Sequence, residues 1–143
     1  MGVLSLDGEQ EARGRMDEQG DARPIVLVVE DFEDNRFMMR RLLEMSGYRV
    51  VEAVNGNQAV EEAASQSPDI ILMDLSLPQL DGLAATRRIR SQEGSRKVPI
   101  IAVSAHDSAD FHAEALAAGC NEYVTKPIDF DQLVQLLDHL TAK

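Results

Sequence analysis

The chain alternates between short apolar runs and longer segments in which apolar residues recur at helical spacing. Apolar runs typical of strands occur at Ile25–Val29, Arg49–Val54, Ile70–Met73, Val98–Val103 and Asn121–Val124. Runs of this length that end in turn-forming residues favour strands buried on both faces. The segment after each run has a helical pattern, so the sequence predicts five strand–helix units in strict alternation.

Apolar spacing and turn residues predict where the helices lie. Phe37, Met38, Leu42 and Met45 indicate a first helix through Met45, and the pair Ser67-Pro68 ends a second helix that runs through Ala64. A third helix from about Leu83 to Ser91 has an apolar side made of Leu83, Ala84, Thr86 and Ile89. Ser108–Ala118 is a fourth, alanine-rich helix. Asp129 caps the last helix, with Gln132 three positions further on as its capping-box partner.

Strict alternation of strands and helices predicts an α/β fold with helices on both faces of a parallel sheet. A five-stranded sheet of this kind is most often flavodoxin-like, with strand order 2-1-3-4-5. We therefore expect one folded domain over residues 24–143. Residues 1–23 are polar and rich in glycine, so we expect a flexible N-terminal tail in which a short helix around Glu9–Glu18 is compatible with the composition. An inert extension and a partner-docking arm both stay open for the tail.

Composition and charge narrow the classes of function. The formal net charge of −11 argues against nonspecific binding to nucleic acid, which requires clustered Lys and Arg. No apolar run approaches the about 20 residues that cross a bilayer, and the N-terminus has no secretory pattern. We therefore expect a cytoplasmic protein that does not enter membranes. Cys120 is the single cysteine, so it forms no internal disulfide and is predicted to be a small buried residue.

Polar residues stand where four of the predicted strands end. Glu30 and Asp31 follow the first strand, Asp74 the third, Ser104 the fourth and Lys126 the fifth. Because the carboxyl ends of parallel strands share one edge of the sheet, we expect these side chains to converge there. Adjacent carboxylates repel one another, and a divalent cation offsets that repulsion. Ligands that are all oxygen atoms suit Mg²⁺.

The same residues have the chemistry for phosphoryl transfer, which needs an in-line nucleophile and cationic stabilisation of the phosphoryl oxygens. Asp74 would be the nucleophile and form an acyl phosphate. Asp31 and Asp74 would hold the metal, with Glu30 acting directly or through water. Ser104 and Lys126 would hydrogen-bond the phosphoryl oxygens. Structural roles compete with these assignments: Asp74 as a helix-cap or turn carboxylate, and Glu30 with Asp31 as an acidic pair in the first turn of a helix that complements the helix dipole.

Taken together, these residues resemble the receiver domain of two-component response regulators. The resemblance covers about residues 24–143 and rests on Glu30-Asp31, Met73-Asp74 with Pro78 and Asp81-Gly82, Ser104-Ala105, and Lys126-Pro127. It implies that Asp74 accepts phosphate from a histidine kinase or a histidine phosphotransfer protein, with Mg²⁺ required. It also implies that the backbone carbonyl of Ser76 is a metal ligand. Tyr123 matches the aromatic switch residue that acts with Ser104, although packing within its strand is a competing role.

Four positions bear on how closely the chain follows the family pattern. Ser104 stands where threonine is commoner, and it keeps the hydroxyl group. Phe32 follows the acidic pair where a polar residue is usual, and its ring could shield the metal or take part in docking. Ser76 and His106 lie two residues beyond Asp74 and Ser104, at positions that tune the lifetime of the phosphorylated state in the family, so that lifetime is not predicted here.

The favoured function is a single-domain response regulator that binds a downstream protein target differently once Asp74 is phosphorylated. Such a protein is a switch that is expected to dephosphorylate itself and is not a conventional enzyme. A phosphate relay or sink without output uses the same residues. An aspartyl-phosphate phosphatase is the alternative from another class, but Ser76 stands where those enzymes carry a second aspartate. Dimerisation of the chain with itself stays open.

Overall fold

The computed structural model describes residues 21–77 and 81–142. Among these residues five parallel strands form one sheet in the order β2-β1-β3-β4-β5, as predicted. The strands are β1 (Ile25–Val29), β2 (Arg49–Ala53), β3 (Ile70–Asp74), β4 (Ile100–Ser104) and β5 (Glu122–Thr125). The helices are α1 (Glu33–Met45), α2 (Gly56–Gln66), α3 (Gly82–Ser91), α4 (Ala109–Ala118) and α5 (Phe130–Thr141). The predicted tail helix and Pro78 lie outside the described residues, and the division of the chain at residue 23 stays a prediction.

Successive residues of the central strands point to opposite faces of the sheet and build two apolar cores. In β1, Leu27 and Val29 belong to the core that packs against α2, α3 and α4. Val26 and Val28 belong to the core on the other face, where Leu43 of α1 and Leu133 of α5 pack. All five residues of β1 and of β3 are buried. Burial on both faces explains why these strands read as continuous apolar runs.

Side chains at the N-caps satisfy backbone amides that the first turn of a helix leaves unpaired. The cap residues and the amides that they accept are Asn55 with Gln58, Asp81 with Ala84, Ser108 with Phe111, and Asp129 with Gln132. The predicted cap at Asp129 is therefore confirmed. Each of these caps fixes the residue at which the chain leaves a loop and enters a helix.

Several element boundaries differ from the prediction by one or two residues. β4 begins at Ile100 and not at Val98: its register with β3 starts at the pair of Ile71 and Ile100, and the preceding Pro99 has no amide hydrogen to donate. β3 includes Asp74, which pairs in register with Val103. In α3 the buried alanine is Ala85, whereas Ala84 is half-buried. The buried residues Gly82, Ala85, Thr86 and Ile89 recur three and four positions apart and so share one side of the helix, and Ala84 lies beside that side.

Helix α1 exposes much of the apolar side that predicted it. Phe37, Met38 and Met45 are 59%, 55% and 77% exposed, whereas Leu43 is fully buried. The helix turns Leu43 towards the sheet, with the partly buried Met39 beside it in the same core. Apolar side chains that no core residue covers are typical of a surface that contacts a partner.

Candidate functional site

Three carboxylates converge at the carboxyl edge of the sheet. Glu30 and Asp31 follow β1, and Asp74 ends β3, the neighbouring strand. One carboxylate oxygen from each of the three lies within 4.8 Å of the others. Asp74 is buried, Glu30 is half-buried and Asp31 is exposed. The site is therefore open to solvent on the Asp31 side, and Asp74 lies at its inner end.

Asp74 is held by contacts to both of its carboxylate oxygens. Its Oδ1 accepts a hydrogen bond from the backbone amide of Ser76 at 2.9 Å. Its Oδ2 lies 3.3 Å from the Nζ atom of Lys126, which reaches across from the end of β5. The side chain of Asp74 is only 6% exposed, so this ion pair is largely shielded on the carboxylate side. A buried carboxylate needs such partners, because an unpaired buried charge is strongly unfavourable.

The pKa of Glu30 lies above its ordinary value. Partial burial is the main cause, and the negative charges of Asp74 and Asp31 raise the pKa further. The backbone amide of Phe32, which donates to Glu30 at 3.0 Å, and the charge of Lys126 oppose this shift. Burial and the neighbouring negative charges thus disfavour the ionised form of Glu30, a condition that a bound cation would relieve.

Ser104 and Lys126 are joined through the backbone. Strand β4 lies between β3 and β5, and the amide of Lys126 donates to the carbonyl oxygen of Ser104 at 2.8 Å. The buried hydroxyl of Ser104 accepts the amide of His106 at 3.1 Å. The Lys126–Pro127 peptide bond is cis. These contacts position the one hydroxyl and the one ammonium group of the predicted set at the same edge as Asp74.

The remaining predicted residues lie near this edge. The backbone amide of Ser76 donates a hydrogen bond to the carboxylate of Asp74. The role of the carbonyl oxygen of Ser76 as a metal ligand stays a prediction. Tyr123 is half-buried in β5, and its hydroxyl donates to the carbonyl oxygen of His106 at 2.8 Å. Phe32 is 56% exposed beside the carboxylates. Cys120 is buried, as predicted, and its burial raises the pKa of the thiol.

Arg36 is a residue of the site that the sequence did not single out. Its guanidinium donates to the carbonyl oxygens of Glu30, at 3.0 Å, and of Asp31, at 3.4 Å. The same side chain pairs with Glu52 of β2 at 3.1 Å. Arg36 therefore ties the loop that carries the two acids to the neighbouring strand. Nothing in the sequence distinguishes Arg36 from Arg40 and Arg41 on the same helix.

A groove beside the site runs between α1 and the loop that follows β5. Its volume is about 420 Å³, and its apolar lining comes from Met38, Met39 and Leu42 on one side and from Pro127 and Ile128 on the other. Glu30 and Lys126 also line the groove, so the groove adjoins the carboxylate cluster. Any macromolecule that delivers a group to Asp74 from this direction contacts an apolar surface next to the charged site.

Comparison with known proteins agrees with this architecture. The sequence model of the response regulator receiver domain matches residues 26–138. The polar-differentiation response regulator DivK of Brucella anthropi is 35% identical over 112 residues, which cover 78% of this chain and 91% of that protein. DivK of Brucella ovis is equally similar.

Solved structures of receiver domains superpose closely on this chain. The receiver domain of a sensor histidine kinase from Pseudomonas aeruginosa, which holds a magnesium ion in its active-site cleft, is 41% identical and has a TM-score of 0.79. The alignment covers 85% of this chain and all of that one. The chemotaxis protein CheY4 of Vibrio cholerae is 27% identical, also with a TM-score of 0.79, over 83% of this chain and 99% of that chain. The chain therefore belongs to the family of response regulator receiver domains, the phosphorelay switches of two-component signalling.

Proposed function

We propose that Asp74 is the phosphoryl acceptor of this receiver domain and that a phosphohistidine on a partner protein is the donor. The observation that carries the proposal is the buried carboxylate of Asp74, which lies beside two further carboxylates and 3.3 Å from Lys126. In the transfer the P–N bond of the phosphohistidine breaks, and its electron pair stays with the imidazole. A new P–O bond forms at a carboxylate oxygen of Asp74, which gives an acyl phosphate.

A magnesium ion fits the carboxylate cluster, because the donors are all oxygen atoms and because burial, with the charges of Asp74 and Asp31, already raises the pKa of Glu30. Asp31 and Asp74 would hold the ion, with Glu30 bound directly or through water and the carbonyl of Ser76 as a further ligand. Bound there, Mg²⁺ would neutralise charge on the transferring phosphoryl group. Lys126 contributes a second positive charge, and the hydroxyl of Ser104 donates a hydrogen bond to a phosphoryl oxygen.

In this proposal, phosphorylation of Asp74 changes the position of the loop that follows β4, and Ser104 transmits the change. Its hydroxyl now accepts the amide of His106, and the carbonyl of His106 accepts the hydroxyl of Tyr123. A phosphoryl group on Asp74 offers strong acceptors to the Ser104 hydroxyl and draws this residue towards β3. Tyr123 is the side chain that carries this displacement to the surface, where a downstream protein binds the phosphorylated form with a different affinity.

The apolar groove between α1 and the β5–α5 loop is the docking surface that we assign to the phosphodonor. Met38, which lines this groove, is more than half exposed, and so is Phe32, which follows the two acids in the chain. Among the described residues, no helix is long and apolar enough to span a membrane. Burial of this apolar surface against a helical partner would supply the binding energy that small phosphodonors lack.

The test is the intact mass of the full chain after incubation with Mg²⁺ and acetyl phosphate. We expect one added phosphoryl group on the wild type, none after chelation and none on Asp74→Asn, because an amide is a poor nucleophile and a weaker metal ligand. Asp110→Asn, a change at an exposed aspartate of α4, is the matched control and should still be phosphorylated. Phosphorylation of Asp74→Asn at normal stoichiometry would overturn the assignment.

Two other functions use the same residues and give different results. A phosphate sink would accept phosphate without any change in affinity for a downstream protein. A phosphatase would turn over a phosphoester many times. Phosphatases with an aspartyl nucleophile carry a second carboxylate two residues after the nucleophile. In this chain Ser76 provides a backbone amide at that point, 2.9 Å from Asp74. We therefore expect no multiple turnover of phosphoesters.

A further inference from the structure

A second groove lies at the edge of the sheet opposite to Asp74, where the strands begin. Its volume is about 580 Å³. Its walls are the loop before β3, with Pro68, the loop before β4, with Lys97 and Val98, and the C-terminal end of α5, with Thr141. None of the carboxylates of the candidate metal site lines it. This surface, which we call the amino-edge groove, is therefore separate from the site assigned to phosphoryl transfer.

The loop before β4 brings positive charge to the amino-edge groove. Residues 87–97 hold five of the 14 Lys and Arg residues of the chain and a single acid, Glu93, although the formal net charge of the chain is −11. Arg96 and Lys97 are exposed, and both line the groove. Within residues 21–77 and 81–142, no carboxylate forms an ion pair with either side chain. The groove thus offers two cations to an acidic ligand.

Arg90 holds the backbone of this loop in place. Its guanidinium donates to the carbonyl oxygens of Ser95, at 3.3 Å, and of Arg96, at 3.1 Å. It also donates to the carbonyl oxygen of Gly119 at 3.0 Å and to the side chain of Asn121 at 2.8 Å. The loop that carries the two cations is therefore tied to the turn before β5. A surface that is ordered before binding loses less conformational freedom when a ligand binds to it.

The chain enters the fold beside the amino-edge groove. The amide of Ile25, the first residue of β1, donates at 2.7 Å to the carboxylate of Asp69, which lines the groove. Arg23 donates to the carbonyl oxygen of Tyr48 at 3.5 Å, and the hydroxyl of Tyr48 lies 3.4 Å from that of Thr141, another lining residue. Strand β4 is two strands away from β1. Two strand spacings are about 10 Å.

Residues 1–20 precede the described part of the chain and carry charge opposite to that of the two cations. They contain five acids and two arginines. Glu18 and Asp17 stand three and four positions before Asp21, and an extended chain spans about 10–13 Å over three to four residues. That reach matches the separation of β1 and β4. A segment of the same chain has an effective concentration on the order of millimolar, so weak contacts suffice for it to occupy the groove.

We propose that residues 1–20 bind the amino-edge groove of the same chain, with Asp17 and Glu18 paired with Arg96 and Lys97. Bound there, the segment joins the loop before β4 to the end of α5. It also competes with any other acidic chain for the two cations. The proposal involves no residue that we assign to metal binding or phosphoryl transfer, so it is independent of the proposed role of Asp74.

The experiment is zero-length cross-linking of the full chain with a water-soluble carbodiimide, followed by mass spectrometry of the peptides. This reagent joins a carboxylate to a lysine amine only where the two groups are in contact. We expect Lys97 to be joined to Asp17 or Glu18 within one chain, with a yield that does not depend on protein concentration. The product should be lost in about 1 M salt, where the Debye length falls to about 3 Å.

Two double variants separate the assigned pairs from the general charge of the segment. Asp17→Asn with Glu18→Gln removes the two acids and should abolish the cross-link. Asp7→Asn with Glu9→Gln makes the same chemical changes further from β1 and should keep it. The backbone amide signals of residues 93–99 in NMR spectra give a second readout that does not depend on the reagent. They should shift in the first double variant and match the wild type in the second.

The proposal is overturned if Lys97 forms no cross-link to residues 1–20 and the amide signals of residues 93–99 are the same in the wild type and the first double variant. An equal yield of the cross-link in both double variants would also overturn it, because the assigned acids would then not be the ligands. A cross-link found only in covalent dimers would show that a second copy supplies the segment, which contradicts binding within one chain. Amide shifts of residues 93–99 confined to the first double variant support it.

Discussion

Helix α3 begins so close to the end of β3 that a Cβ atom on Gly82 would lie 2.5 Å from the carbonyl oxygen of Asp74. The same atom would lie 2.7 Å from the Cα atom of Leu75. Both neighbours are backbone atoms and cannot rotate away as a side chain could. Glycine is therefore required at this position for α3 to pack against the residue that we assign as the phosphoryl acceptor.

We predict that Gly82→Ala destabilises the protein by about 1–3 kcal/mol, the usual cost of overpacking a close contact. The shift of backbone at Asp74 should also slow phosphorylation by acetyl phosphate. Urea unfolding and the rate of mass gain measure the two effects. Gly94→Ala is the control, because a Cβ there meets no atom within 4 Å. Equal stability of the two variants would show that the contact at Gly82 relaxes without cost.

Arg36 offers a test of how the acidic loop is held. Arg36→Met removes the donors to the carbonyl oxygens of Glu30 and Asp31 but keeps most of the length of the side chain. Residues that orient metal ligands typically change metal affinity by about 10–100-fold when they are substituted. We expect Mg²⁺ to bind more weakly by an amount in that range, as measured by calorimetry.

Arg41 provides the matched control for Arg36 on the same helix. Arg41 is exposed, and its guanidinium lies over the ring of Phe37, 5.8 Å from the ring centroid. Arg41→Met removes the same charge and should leave the affinity for Mg²⁺ within about twofold, because charges at the exposed surface are screened. A similar loss in both variants would mean that net charge, and not the orientation of the loop, governs metal binding.

Glu30 makes stability and metal binding depend on pH in opposite ways. Its pKa is raised in the folded protein, so the folded state binds more protons than the unfolded state between the ordinary pKa of a glutamic acid and the raised one. Stability of the metal-free protein should therefore fall as pH rises through that interval. Metal binding should instead fall as pH drops through the same interval, because a protonated Glu30 is a poor ligand.

Glu30→Gln should remove both effects. Without metal the variant should be more stable than the wild type above the raised pKa and equally stable below the ordinary one, as measured by urea unfolding with a chelator. With Mg²⁺ at neutral pH the order should reverse, because an amide is the weaker ligand. Glu61→Gln, at an exposed glutamate of α2, is the control and should match the wild type at every pH. A metal-free Glu30→Gln that is less stable at neutral pH would contradict the assigned cost of burying the charge of Glu30 beside Asp74 and Asp31.

The exposed apolar groove predicts a separation between chemistry and docking. Met38→Gln should slow phosphotransfer from a phosphohistidine protein by about tenfold, a loss of about 1.4 kcal/mol that places Met38 among the minority of interface residues that cost more than about 1 kcal/mol. Its rate with acetyl phosphate should be unchanged, because Asp74 and its contacts stay intact. Leu116→Gln on α4 is the control, since Leu116 is 58% exposed but lies outside the groove. Equal slowing with both donors would place Met38 in the chemistry instead.

The alternation of strands and helices could be predicted from the sequence because strands buried on both faces, such as β1 and β3, are uninterrupted apolar runs. Asp74 stood out for a related reason, since a charge at the end of such a run has to lie at the edge of the sheet. The buried side of helix α1 was harder to predict. Its apolar residues predicted a helix, but which of them are buried depends on how the helix rotates against the sheet, and Leu43 with Met39 faces inward while Phe37 and Met45 face solvent.

By itself, the sequence determined the order of the elements, the parallel sheet and the set of residues at its carboxyl edge, because periodicity and strand ends are local properties of the chain. Only the tertiary structure decided which groups touch. The bonds from Arg36 to the acidic loop, the approach of Gly82 to Asp74 and the stacking of His112 on Tyr123 each join separate elements. Such contacts depend on the packing angles and distances between helices and strands, which no local pattern of residues records.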